Sequence, residues 1–158
     1  MLRKNIIAAA SAAVLALSSS AFAQTEKLAS GAEAKEMLQN AVSAVALDDA
    51  KAFDMFNKGE GGFLYRDTYV FCTNVGDGKF VAEGNPNAKA LLGTDIRALK
   101  DATGKPFGQE LYNAGQKPEG EITEVDYLFA KPTDPKPVPK ATFVTRVGEF
   151  ACGVGYYK

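Results

Sequence analysis

The chain has 158 residues, with 18 basic against 19 acidic side chains, no histidine and two cysteines. A near-neutral balance without a basic cluster argues against nucleic-acid binding. The missing histidine removes the commonest general base and every Ser–His or Cys–His dyad, and two cysteines are too few for a structural zinc site.

Arg3 and Lys4 precede an apolar run from Ile6 to Leu17, which ends at Ser18–Ser20 and the small-residue triplet Ala21-Phe22-Ala23. This is the order of a secretory signal peptide. The run is shorter than the roughly 20 residues that span a bilayer, which argues against the alternative, an uncleaved anchor. The reading is therefore a signal peptide over 1–23, cleavage after Ala23, and one periplasmic domain over 24–158 that is not membrane-embedded. Without Arg3 and Lys4 the balance is 16 basic to 19 acidic.

Residues 28–57 predict helix. Leu38, Ala41, Val42, Val45, Phe53 and Phe56 fall on one stripe, Ser30 and Glu33 form a capping-box pair, and Asp48-Asp49 interrupts the pattern as a bend or break. Gly59 is a stop signal, and Gly61-Gly62 leads into a loop. The period then changes from 3.6 to 2. Thr68–Thr73 reads as a strand, Val75–Gly78 as a turn and Lys79–Ala82 as a returning strand. Short helical stretches follow at 88–99 and 107–114, separated by a turn at 101–106.

Three more strands are predicted at 122–129, 140–147 and 150–157, and the proline-rich stretch 131–139 reads as a link. Strands clustered in this way imply an α+β fold with one antiparallel sheet. Neither Gly59–Gly62 nor Gly76–Gly78 is followed by the Lys-Ser or Lys-Thr pair of a phosphate loop, so no cofactor and no metal is expected. Glu121, Glu124 and Asp126 alternate with Ile122, Val125 and Leu128, as on the solvated side of a strand. An enzyme is therefore not expected.

Cys72 and Cys152 each lie in an apolar, strand-like run. An even cysteine count in an exported chain implies a disulfide between them, tying the middle of the domain to its last strand. Two buried free thiols are the alternative.

Several local strings occur in a set order. They are Gly61-Gly62-Phe63 leading to Asp67–Phe71; Asn85-Pro86 followed by Leu92–Asp95; Lys100–Phe107; Pro137–Lys140 leading to Phe143-Val144; and the terminal Gly153–Tyr157. In order and spacing this resembles the single Cache domain family of bacterial extracellular sensors, over about residues 35–158. The resemblance implies a PAS-like fold. A long N-terminal helix would pack on a five-stranded antiparallel sheet, and short helices between the second and third strands would enclose a small-molecule pocket. It also implies a sensor-type domain for a small metabolite, often a short organic acid, acting in signal transduction or solute capture with a membrane receptor or transporter. Asn85 stands where many relatives carry histidine, and Phe150-Ala151-Cys152 where many carry tryptophan, so ligand identity is not carried over.

A buried carboxylate needs a cation and hydrogen-bond donors. Lys140 opens a strand at the family's Pro-Lys position and is the first candidate. Arg146 shares its strand face by even spacing. The alternative for both is an edge-strand charge pointing to water. Tyr69, Phe71, Tyr127 and Tyr112 are candidate pocket aromatics, with core packing as their alternative. Asn85 and Arg97 lie in the covering segment as weaker candidates. The competing function is a structural or interaction subunit of an exported complex, which keeps the fold but fills the pocket.

Overall fold

A computed structural model describes residues 27–158. The signal segment read over residues 1–23 lies outside them. Ser30 caps the first helix, α1 (Gly31–Leu47), through the reciprocal box with Glu33 that the sequence predicts. Asp48 then ends α1 and caps α2 (Asp49–Lys58), accepting from the Lys51 amide at 3.0 Å. The acidic pair is thus a helix break. Gly59 closes α2 in the left-handed conformation, at φ 69°, where a side chain would strain the backbone.

The strands are β1 (Leu64–Tyr65), β2 (Thr68–Asn74), β3 (Phe80–Glu83), β4 (Thr123–Lys131), β5 (Asp134–Val147) and β6 (Phe150–Tyr157). Two single turns of 3-10 helix (Lys89–Leu91 and Ile96–Ala98) and a third helix, α3 (Phe107–Gly115), fill the connection between β3 and β4. The sheet runs β1-β2-β6-β5-β4, with β3 also pairing to β2, and every strand pair is antiparallel. The predicted count of five strands is therefore one short, because the two-residue β1 is too brief to carry a periodic signal.

The proline-rich stretch is strand rather than link. Residues 134–139 pair with β4 alone, and β6 joins only from Lys140 onward. The Pro139 carbonyl accepts from Lys158 on the β6 side, so its nitrogen faces that side too. Pro137 follows by alternation. Neither proline withholds a hydrogen bond from β4, which is how a strand tolerates them.

The centre of the sheet is buried on both faces. One face carries Val70, Cys72, Cys152 and Val154 against α1 and α2, with Leu38, Ala41, Val45 and Phe56 opposite. The other carries Phe71, Val125, Tyr127, Val144 and Ala151 against Ile96, Phe107, Leu111 and Ala114 of the covering segment. Cys72 and Cys152 face each other across β2 and β6 and form the expected disulfide, closing a separation of 80 residues. Among the described residues, no helix is long and apolar enough to cross a membrane.

Candidate functional site

The covered face of the sheet holds a small cavity lined by Tyr69, Phe71, Phe80, Glu83, Leu91, Leu99, Phe107, Leu111, Tyr127, Phe129 and Lys140. Its volume is about 20 Å³, the space of roughly one water. Lys140 is 2 % exposed. Its Nζ donates to the Tyr69 hydroxyl at 2.9 Å and lies 4.4 to 6.0 Å from the ring centres of Tyr69, Phe129, Tyr157 and Tyr127. An ammonium group has three N–H donors, and only this one is matched by a protein acceptor among the described residues.

The strands bring these groups together by register. Tyr69 and Phe71 project from alternate positions of β2. Lys140 on β5 sits opposite Tyr127 on β4 and Tyr157 on β6. The lysine has room because β6 carries glycines, Gly153 and Gly155, beside it on this face. A Cβ added at Gly155 would stand 2.2 Å from Lys140 Cε, and one at Gly153 would stand 2.4 Å from the Phe71 ring. Tyr127 is fixed by its hydroxyl, 2.8 Å from Thr142 Oγ1, and by stacking on Phe107 at 4.2 Å.

Glu83 is the second charged group of the cavity, 3 % exposed. Its Oε1 accepts from the Asn85 amide at 2.8 Å. Asn85 is itself buried and reaches the Tyr69 hydroxyl through Nδ2 at 3.4 Å. Burial pushes the Glu83 carboxyl up to about 7, against the pull of the Asn85 N–H and of Lys140. Burial likewise pushes the Lys140 amine down to about 8, opposed by Glu83 and Asp67. No direct ion pair joins Lys140 to Glu83. Tyr69 is held well above its ordinary range, mainly by burial, so its hydroxyl stays protonated.

The cavity thus gathers Lys140, Tyr127, Tyr69 and Phe71, with Asn85 at its rim. Tyr112 and Arg146 lie elsewhere. Tyr112 donates to the Val75 carbonyl at 2.9 Å and stacks against Arg97, which pairs with Asp95 at 2.6 Å on the outside of the cover. Arg146 does share the Lys140 face. Six residues along a strand is about 20 Å, however, and its guanidinium turns to the Gly148 carbonyl at the far end. Glu121, Glu124 and Asp126 are exposed, and the latter two hold Tyr156 and Lys158.

Glu83 has no signal in simple alternation. From Phe80, a regular strand would place it on the opposite face. A register shift opposite Cys72 and Thr73 inserts Val81, so Phe80 and Glu83 share the cavity side. The aromatic and leucine cover was visible as apolar residues, but not as cavity lining.

A family model described as single Cache domain 2 matches residues 4–157. Three solved structures share the fold. One is a periplasmic sensor domain of a chemotaxis protein, at 23 % identity and a TM-score of 0.58, covering 78 % of this chain and 87 % of that one. A second is a methyl-accepting chemotaxis protein from Vibrio parahaemolyticus RIMD 2210633, at 20 % identity and a TM-score of 0.62, covering 80 % and 86 %. The third is a Cache chemosensory domain described for its carboxylic acid recognition, at 19 % identity and a TM-score of 0.58, covering 78 % and 85 %. No curated protein sequence matches at comparable significance.

Proposed function

The chain belongs to the single Cache domain 2 family, and from that premise we propose that it is a periplasmic, sensor-type domain that captures a small organic acid on Lys140. One observation carries the reading. A lysine amine sits deep in an aromatic cavity with one neutral acceptor, so it has donors and charge to give to an anion. Tyr69 extends that donor set, and the rings around the amine exclude water and strengthen the charge–charge contact. The bound state then passes to a membrane receptor or transporter. No reaction is assigned to the site, since the family's role is recognition.

The cavity volume favours a second reading, an interaction subunit with a filled pocket. A carboxylate carrying even one carbon is larger than a water, so capture requires the cover to yield. The cover is built of side chains able to do so. Leu91, Leu99 and Phe129 are only partly buried, and Phe129 also borders an outer cavity of about 430 Å³.

Thermal shift of the mature protein against acetate, propionate, pyruvate and succinate separates the two readings. Acid capture predicts a rise in melting temperature that follows RT ln(1 + [L]/Kd) and disappears in Lys140→Met. Met matches the lysine in volume without its charge, and a cooperative melt of Lys140→Met in the absence of acid checks that the variant is folded. A flat response of the folded wild type to every acid points to the interaction subunit instead.

A further inference from the structure

Resting on the reading of Lys140 as an acid-binding group, we propose that Glu83 makes this site selective for monocarboxylates and couples their capture to the uptake of one proton. The geometry poses a charge problem that Lys140 alone does not solve. Glu83 and Lys140 line the same cavity, which therefore already contains one negative and one positive group. An incoming carboxylate makes two carboxylates around one ammonium. Two like charges in a dry site cannot both stay ionised at neutral pH, and one of them takes a proton.

The surroundings leave Glu83 as the group that takes it. Lys140 on β5 is the one cation among the cavity's lining residues. Lys89, in the first 3-10 turn, spends its amine on the main-chain carbonyls of Asn57 and Glu83. Asn57 of α2 accepts from the Glu83 amide at 2.8 Å and brings no charge. Tyr69, Tyr127 and Tyr157 face the site from β2, β4 and β6 as neutral phenols. Asp67 adds negative charge on the Lys140 side, and its Oδ1 is held by the Ala29 amide at 2.6 Å. Burial already favours the neutral form of Glu83, so a second carboxylate has little further to push. Once protonated, Glu83 offers an O–H donor to the ligand where it had offered repulsion. A dicarboxylate would bring two charges against this one proton, which is the basis of the selectivity.

The test is calorimetry of the mature protein with propionate at about pH 7.5, in two buffers of different ionisation heat, paired with infrared difference spectra using carbon-13-labelled propionate. The expected results are uptake approaching one proton per ligand and affinity falling about tenfold between pH 7 and pH 8. A new carboxylic-acid band should appear that does not shift with the label and is missing in Glu83→Gln. Succinate should bind at least tenfold more weakly than propionate to the wild type, with the gap narrowed in Glu83→Gln. Binding without proton uptake, uptake without the new band, or succinate binding as tightly as propionate overturns the role of Glu83 while leaving Lys140 as the acid site. No binding of any acid overturns both. Should Glu83→Gln fail to fold, the wild-type proton count, the wild-type band and the succinate comparison still decide.

Discussion

Lys140 and Glu83 are each unfavourable to the fold in their charged forms, and they act in opposite pH ranges. The Glu83 carboxyl rises from an ordinary 4.5 to about 7. Between those values the folded chain holds a proton that the unfolded chain releases, so the stability this group contributes is complete below pH 4.5 and lost as pH rises through 7. A rise of that size corresponds to about 3 kcal/mol. The Lys140 amine is depressed instead, from 10.5 to about 8. Its penalty is complete below pH 8 and is relieved as pH climbs towards 10.5. The pair therefore places a stability minimum between about pH 7 and 8. We expect Glu83→Gln to gain on the wild type by about 2–3 kcal/mol between about pH 5 and pH 8 in urea melts. Midpoints that move in parallel for the two proteins would refute it. Lys140 was legible in the sequence because it follows a proline at the position the family resemblance marks, although the strand in fact begins six residues earlier. Glu83 was not, because its face is set by a bulge that depends on how β2 pairs with β3.

The elements were more legible than the site they enclose. The long helical stripe, its capping box and its acidic break are each built from residues a few positions apart, and local patterns of that kind survive folding unchanged. The proline-rich strand was missed because its pairing is one-sided, which composition does not reveal. The string Lys100–Phe107 is also clearer in three dimensions. Asp101 accepts from Thr103 and Lys105 within its own turn and from Leu128 on β4, which holds its carboxyl down to about 2. It ties the turn of the cover to β4. The glycine pair of β6 has a sharper consequence. Gly155 lacks a positive φ, so alanine fits the backbone there but collides with Lys140 and Thr142. Gly155→Ala is expected to lose about 1–3 kcal/mol through overpacking and to abolish the thermal response to propionate with Lys140 still present. An unchanged response would show that the lysine does not need the glycine floor.

At the scale of the whole molecule, the sheet divides the interior into a dense helix-packed half and a covered half that holds the charged pair. The disulfide stands in the first half, away from the cavity, and joins chain segments that are far apart in sequence. Closing a loop of that length is worth about 2–4 kcal/mol. The double variant Cys72→Ala/Cys152→Ala should lose about that much in urea melts and still respond to propionate if it remains folded at the assay temperature. Equal stability of oxidised and variant protein would remove the disulfide as a brace. Both sulfur-bearing residues are fully buried, so a reductant should reach them only as fast as the domain opens.

The first half of β5 also governs how copies of the domain meet. Its flank beyond the end of β6 would be a ready template for another chain, since an open strand edge normally offers alternating donors and acceptors. Pro137 and Pro139 leave that flank with carbonyls and no N–H groups, so an approaching strand finds only half a ladder. Edge-to-edge polymerisation is thereby discouraged along this stretch of β5.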